Sequence, residues 1–177
     1  MQQTSPGAAA VEAVVGRRFP AVTGHALSKV VVRFPDDLAG APAVLLVAYR
    51  RTAQADVDSW ARALGERSPG VQVYEVPTIP AVVYRPLAGW IDGGMRGGVP
   101  KEQWSSVVTL YADGAQVRDF LGEAPRPVAH VVLLDGAGMV RWFNADGYSS
   151  RAASGLSDAV ADVSGGAAAP DASSPVR

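Results

Sequence analysis

The stretch "APAVLLVAYRRTAQADVDSW", residues 41–60, decides the predicted fold. Its first half contains an apolar run over 43–49 that is hydrophobic on both faces, which is typical of a buried central strand. From there on, apolar residues recur at the spacing i, i+3, i+4 and i+7, which predicts an amphipathic helix. The residues with that spacing are Val57, Trp60, Ala61 and Leu64.

The turn between this strand and this helix is where an α/β protein commonly places its chemistry. The carboxyl end of the strand meets the positive end of the helix there, and Thr52 is the predicted N-cap. The turn offers Arg50, Arg51 and Gln54, and it contains no cysteine, histidine or glycine-rich cradle. The two arginines could grip a carboxylate or phosphate, or they could be solvated charges, one of them paired with an acid on the helix. We take all three residues as candidate binding residues.

The elements around this unit alternate along the chain. Strands are predicted at 30–34, 71–76 and 107–111, with a loop and short helix before the last of them. Residues 130–143 form a predicted hairpin, with Asp135, Gly136 and Gly138 in its turn, and 151–163 a closing helix. The order predicts an α/β protein with the thioredoxin-like arrangement, a central mixed sheet flanked by helices, with an N-terminal hairpin extension.

Three segments are predicted from composition. Residues 1–15 form a flexible N-terminal segment, in which Val11, Val14 and Val15 offer a short helix or strand as the alternative. Residues 16–163 form the thioredoxin-like domain. Residues 164–177 are rich in Ala, Gly, Ser and Pro and have almost nothing to bury, so they are predicted to be a disordered tail.

Composition excludes several classes of function. The 177 residues contain no cysteine, which removes thiol catalysis, disulfides and cysteine-bound zinc. Sixteen basic and seventeen acidic side chains leave a charge of -1, and no basic-aromatic interleaving suggests nucleic acid as a partner. No apolar run approaches the length of a membrane span, and the start of the chain does not have the order of a signal peptide. A cytoplasmic location is the expectation.

A second candidate region is the glycine-rich segment 91–100 with its flanking aromatic residues. It lacks the Gly-Lys-Ser/Thr ending of a phosphate loop, so anion binding there is the less favoured alternative. Its side chains could form part of a partner surface, or the tryptophans could fill the core. The candidates are Trp90, Met95, Arg96 and Trp104.

Catalytic residues, metal sites and cofactors are not predicted. Only two histidines are present, His25 and His130, and neither has clustered carboxylates at ligand spacing. No serine lies in a nucleophile elbow.

Two stretches carry a resemblance to a known family. "GRRFPAVTGHAL", leading into "VRFPDDLAGAPAVLLVAYRR", resembles the opening of peroxiredoxin-like thioredoxin folds. "FLGEAPRPVAHVVLLDGAGMVRWFNADG", together with "RTAQADVDSW", is similar to the thioredoxin-like family of mitochondrial ATP synthase assembly factors. The likeness covers roughly residues 16 to 150. It implies a cysteine-independent member of the fold that binds another protein, with possible contact to a membrane-complex subunit, and it supplies no catalytic residues.

Two hypotheses follow from the sequence. The first is a catalytically silent thioredoxin-fold protein that binds another protein, as an assembly factor or chaperone. The alternative is an anionic small-ligand binder or a non-thiol enzyme that uses Arg50, Arg51 and the 91–100 loop. An enclosed cavity with converging polar groups would favour the alternative, and a flat surface would favour a protein partner.

Overall fold

The computed structural model describes residues 6–79 and 97–166 of the chain. Within these residues the helices are α1 (Pro6–Val14), α2 (Gln54–Arg67), α3 (Gly114–Leu121) and α4 (Ser150–Gly165). The strands are β1 (Val22–Ala26), β2 (Val31–Phe34), β3 (Ala43–Ala48), β4 (Gln72–Pro77), β5 (Val108–Leu110), β6 (His130–Leu134) and β7 (Val140–Asn144).

Strand β3 lies inside the larger of two sheets, as the apolar run predicts. Its neighbours are β4, which runs parallel to it, and β6, which runs antiparallel, in the order β4-β3-β6-β7. Every β3 residue from Ala43 to Val47 is fully buried, because the strand has a sheet neighbour on each side and side chains packed on both faces. The mixed sheet predicted from the sequence is confirmed.

The predicted N-terminal hairpin is also present, as the antiparallel pair of β1 and β2. It belongs to a three-stranded sheet in the order β2-β1-β5. Parallel bridges at Glu75–Val107 and Thr78–Leu110 join β5 to the β4 edge of the larger sheet. The two sheets therefore meet edge to edge, and the hairpin extends the central sheet.

Alternating side chains of β3 point into two separate cores. Val44 and Leu46 pack with Trp60 of α2 and Leu156 of α4 on one face. Leu45 and Val47 pack on the other face, together with buried residues of α1, α3 and the hairpin. Helices on both faces and a parallel β3-α2-β4 crossover make this the α/β architecture that the order of elements predicts.

The terminal hairpin between β6 and β7 is organised by Asp135, which the sequence assigns to the turn. Its carboxylate accepts backbone N–H groups of Ala137 at 2.9 Å and Met139 at 3.0 Å, and it accepts a 2.6 Å bond from Arg141 Nε. Gly138 has a φ of 77°, and a Cβ there would lie 2.6 Å from the ring of Pro35. The turn therefore requires glycine at this position.

Two local predictions need correction or completion. Thr52 is not an N-cap, since it lies inside a 3-10 turn over Arg51–Ala53 that runs directly into α2. Ala53 is the residue before α2, and it already has helical dihedral angles without a side-chain cap. Helix α3 is absent from the sequence prediction. Its Val117 and Leu121 cover the core that contains Leu45 and Val47 of β3.

The N-terminal segment was predicted to be flexible, with a short helix or strand as the alternative. The helix is found, as α1, and its Val14 is buried. The predicted closing helix is confirmed as α4, which extends to Gly165. Residues 167–177, most of the predicted tail, lie outside the described residues.

Candidate functional site

The turn after β3 presents its polar side chains to solvent. Tyr49 follows the strand and is buried, and Arg50 is extended, with a φ of -144° and a ψ of 144°. The 3-10 turn then leads into α2. Arg50, Arg51 and Gln54 are all exposed, and the structure brings them together at the carboxyl edge of β3, as the sequence predicts.

Arg50 and Arg51 have no acidic partner within the described part of the chain. Five other arginines do, at N–O distances from 2.6 to 3.8 Å. The alternative in which one arginine of the turn pairs with an acid on the adjacent helix is thus not seen. Each of these two exposed guanidinium groups can offer a bidentate contact to an incoming carboxylate or phosphate.

The turn is held in place by Asp56, in the first turn of α2. One carboxylate oxygen accepts the backbone N–H of Ala129 at 2.9 Å, and the other accepts the backbone N–H of Tyr148 at 2.7 Å. Asp56 thereby joins the start of α2 to the loop before β6 and the loop before α4. Charge-assisted bonds of this kind fix three chain segments around the arginine turn.

Gln54 has a different role from the two arginines. Its side-chain Nε2 donates a 2.9 Å bond to Asp58 Oδ1, one helical turn further along α2. The Glu75 carboxyl group on β4 lies near this amide, which lowers the pKa of Glu75 and opposes the effect of burial. Gln54 therefore bonds Asp58 and lies close to a second acidic side chain.

A buried aromatic cluster lies behind the turn. The ring of His130 is 5.1 Å from the ring of Tyr49 and 5.6 Å from that of Phe143, both in edge-to-face geometry. The guanidinium of Arg118 stacks over Tyr49 at 4.8 Å. Within the described residues, neither nitrogen of His130 has a hydrogen-bond partner, and the Tyr49 hydroxyl has none.

Burial decides the protonation of this cluster. It lowers the pKa of His130 to about 4, with Asp146 opposing the shift, and it raises the pKa of the Tyr49 phenol well above its ordinary value. Both groups are therefore neutral at pH 7. Neither is reachable by a substrate, since His130 is 1% exposed and Tyr49 is 8% exposed. The cluster supports the turn from inside and is not a catalytic pair.

The second candidate region is described only in part. Trp90, Met95 and Arg96 lie outside the described residues. Trp104 is half-buried, and its indole N–H donates to the carbonyl of Val99 at 2.9 Å, with the Lys101 ammonium 6.0 Å from its ring. The structure places Trp104 next to β5, and a partner surface there stays a prediction.

A cleft of about 230 Å³ lies away from the arginine turn, between the C-terminal half of α2, β4 and residues 103–107. Its only ionisable described lining residue is Glu75, so it offers no positive charge to an anion. The anion-binding alternative is therefore not favoured. No group of three or more potential metal ligands occurs in the ranges 6–79 and 97–166.

No helix in those two ranges has the length and apolar character needed to cross a membrane.

Comparison with solved structures identifies the fold. A candidate electron transfer protein from Aquifex aeolicus superposes with a TM-score of 0.59 at 15% identity, covering 85% of this chain and 95% of that one. The thioredoxin domain of a thiol-disulfide oxidoreductase from Bacteroides vulgatus gives 0.57 at 16%, covering 83% and 98%. Copper-bound ScoI from Arabidopsis thaliana gives 0.54 at 10%, covering 82% and 99%. No family model and no curated protein matches the sequence.

These similarities show that the chain has a thioredoxin-like fold. At 10% to 16% identity they carry the fold alone. They give no support to the narrower resemblance to ATP synthase assembly factors. Sequence reasoning located the arginine turn but missed Asp56 as its anchor, because the two N–H groups that Asp56 binds lie 73 and 92 residues away along the chain.

Proposed function

We propose that this chain is a catalytically silent thioredoxin-fold protein that binds another protein through the arginine turn, residues 50–54. The observation that carries the proposal is the pair Arg50 and Arg51, exposed and without an acidic partner in the described structure. The partner chemistry that fits is a segment with acidic side chains, because each guanidinium can bind a carboxylate in a bidentate manner.

The surroundings of the turn support a macromolecular partner over a small ligand. None of residues 50–54 lines the cleft of about 230 Å³, and the polar side chains of the turn are exposed. Asp56 fixes the adjoining loops before any partner arrives, so little ordering entropy is lost on binding. A chain without cysteine cannot perform thiol-disulfide exchange through its own side chains, which fits a binding role.

The outer edge of β2 is a weaker place for a partner. Val31 is 50% exposed there, but the outward N–H of Arg33 is already bonded to Asp37 Oδ2 at 2.8 Å. The guanidinium of Arg33 bonds the same carboxylate at 3.1 Å. An edge occupied in this way resists the addition of a further strand.

The finer role rests on the family resemblance. An assembly factor or chaperone, with possible contact to a subunit of a membrane complex, is the form of the proposal that this resemblance suggests; a cytoplasmic location stays the expectation from the sequence.

Site-specific photo-crosslinking in the native cells tests the proposal. A photoreactive residue at Gln54 should crosslink a discrete partner that mass spectrometry identifies. The control carries the same residue at Glu66, exposed near the other end of α2 and about 18 Å along the helix axis. The proposal predicts a product from position 54 that is absent from position 66. Equal products from both positions, or none from position 54, would contradict it.

A further inference from the structure

A cleft remains that the proposed binding surface does not use. It lies between the second half of α2, strand β4 and residues 103–107, and it has a volume of about 230 Å³. One water needs about 10 to 15 Å³ of such space, so the cleft has room for a group much larger than a single water. A chain of a few carbon atoms with a polar end fits this space.

The walls of the cleft are mostly apolar, with polarity concentrated in a few groups. The aliphatic lining comes from α2 and β4, and Ser68, Gln103 and Ser106 add neutral polar atoms. Pockets of this composition orient a ligand through their few polar groups and gain affinity from the apolar contact. The apolar residues are Ala61, Leu64, Val71, Val73 and Val107.

Glu75 gives the cleft its charge. It is the only ionisable residue among the described lining, and its side chain is half-buried on β4. Asp58 lies near it and adds a second negative charge, while the neutral amide of Gln54 bonds Asp58 and lies close to Glu75. No arginine, lysine or histidine lines the described cleft to balance this charge.

The isolation of Glu75 has an energetic consequence. Burial raises the pKa of its carboxyl group; the nearby Gln54 amide lowers it by less than burial raises it, and the charge of Asp58 adds a further, smaller increase. A half-buried carboxylate without a positive partner is destabilised relative to one that is paired. A cation that entered the cleft would supply the missing charge and a hydrogen-bond donor.

We propose that this cleft binds small organic cations in which a short aliphatic chain ends in a primary ammonium group. The chain lies against the apolar walls and the ammonium donates to the Glu75 carboxylate. The proposal does not depend on Arg50 or Arg51, since neither lines the cleft.

Titration with three four-carbon probes tests the proposal. The probes are n-butylammonium, n-butanol and butyrate. Binding is measured from the chemical shifts of the backbone amide NMR signals of residues that line the cleft. We expect saturable shifts of Leu64, Gly65 and Gln103 with n-butylammonium, binding at least tenfold weaker with n-butanol, and no saturable shift with butyrate. Equal affinity for the ammonium and the alcohol, or no saturable shift with the ammonium, would overturn the proposal.

Variants separate the role of Glu75 from its neighbours. Glu75→Gln should reduce the affinity for n-butylammonium at least tenfold, to that of n-butanol. The matched control Glu66→Gln, at an exposed acid outside the cleft, should bind as the unaltered protein does. Unchanged binding by Glu75→Gln contradicts the proposal. If that variant does not fold, Ala61→Leu tests the same site, because its larger side chain fills the cleft and should abolish the shifts.

Discussion

Within the described residues, His130 is a buried polar residue without a hydrogen-bond partner. Its ring lies between the rings of Tyr49 and Phe143, and it is 1% exposed. The guanidinium of Arg118 stacks on Tyr49, and the negative charge of Asp146 opposes the effect of burial on the pKa of His130 without outweighing it. A second positive charge at His130 would thus be buried without an acceptor, which explains why the fold strongly favours the neutral imidazole.

Stability should therefore fall in mildly acidic solution. The pKa of His130 is about 4 in the folded chain and about 6.5 when it is exposed, so the unfolded state binds the proton first. The contribution of neutral His130 to the free energy of unfolding is fully present above about pH 6.5. It decreases as the pH falls towards 4, by roughly 3 kcal/mol in total. Urea unfolding at a series of pH values measures it.

Two substitutions identify the group responsible for this pH dependence. His130→Leu should flatten the slope of unfolding free energy between pH 6.5 and 4, whatever its effect at neutral pH. His25→Gln, at the exposed histidine on β1, should leave the slope unchanged. A slope that survives in the His130 variant would assign the effect to other groups.

Among the helices, strands and turns, the sequence predicted those that are determined by residues close together in the chain. The β3 run, the apolar spacing of α2 and the Asp135 turn are set by neighbours in the chain, and each is found as predicted. Helix α3 was missed because it has only eight residues and starts at a glycine, so packing of Val117 and Leu121 determines it. The same holds for the candidate site. The arginine turn was predicted because its residues are neighbours in the sequence, whereas the bonds of Asp56 were missed because their partners are far away along the chain.

The contact of α2 with β7 gives a prediction at this scale. Trp142 on β7 packs edge-to-face against Trp60 of α2 at 6.0 Å, and it is half-buried. Trp142→Ala should lower the free energy of unfolding by about 3 kcal/mol, the lower end of the range for buried tryptophans. Val31→Ala, at a half-exposed valine of β2, should cost about 0.5 kcal/mol or less. Similar losses for the two variants would show that the tryptophan pair does not stabilise the fold.

For the whole molecule, the residues that stabilise the fold differ from those proposed to bind a partner. The two cores on the faces of the sheet contain the apolar residues that stabilise the chain, and neither includes Arg50 or Arg51. Both arginines are exposed at the carboxyl edge of β3, where the fold presents them without using them in a described ion pair. Changing them should consequently affect binding and leave folding almost intact.

The most direct test compares two double charge reversals in the purified protein. Arg50→Glu with Arg51→Glu alters the turn, and Arg62→Glu with Arg151→Glu changes the charge equally at two exposed helix positions. The free energy of unfolding of both variants should lie within about 1 kcal/mol of that of the unaltered chain. The turn variant should bind the partner crosslinked at position 54 about 30-fold more weakly, roughly 2 kcal/mol, while the helix variant binds it normally. A turn variant that binds its partner normally, or that fails to fold, would contradict the account.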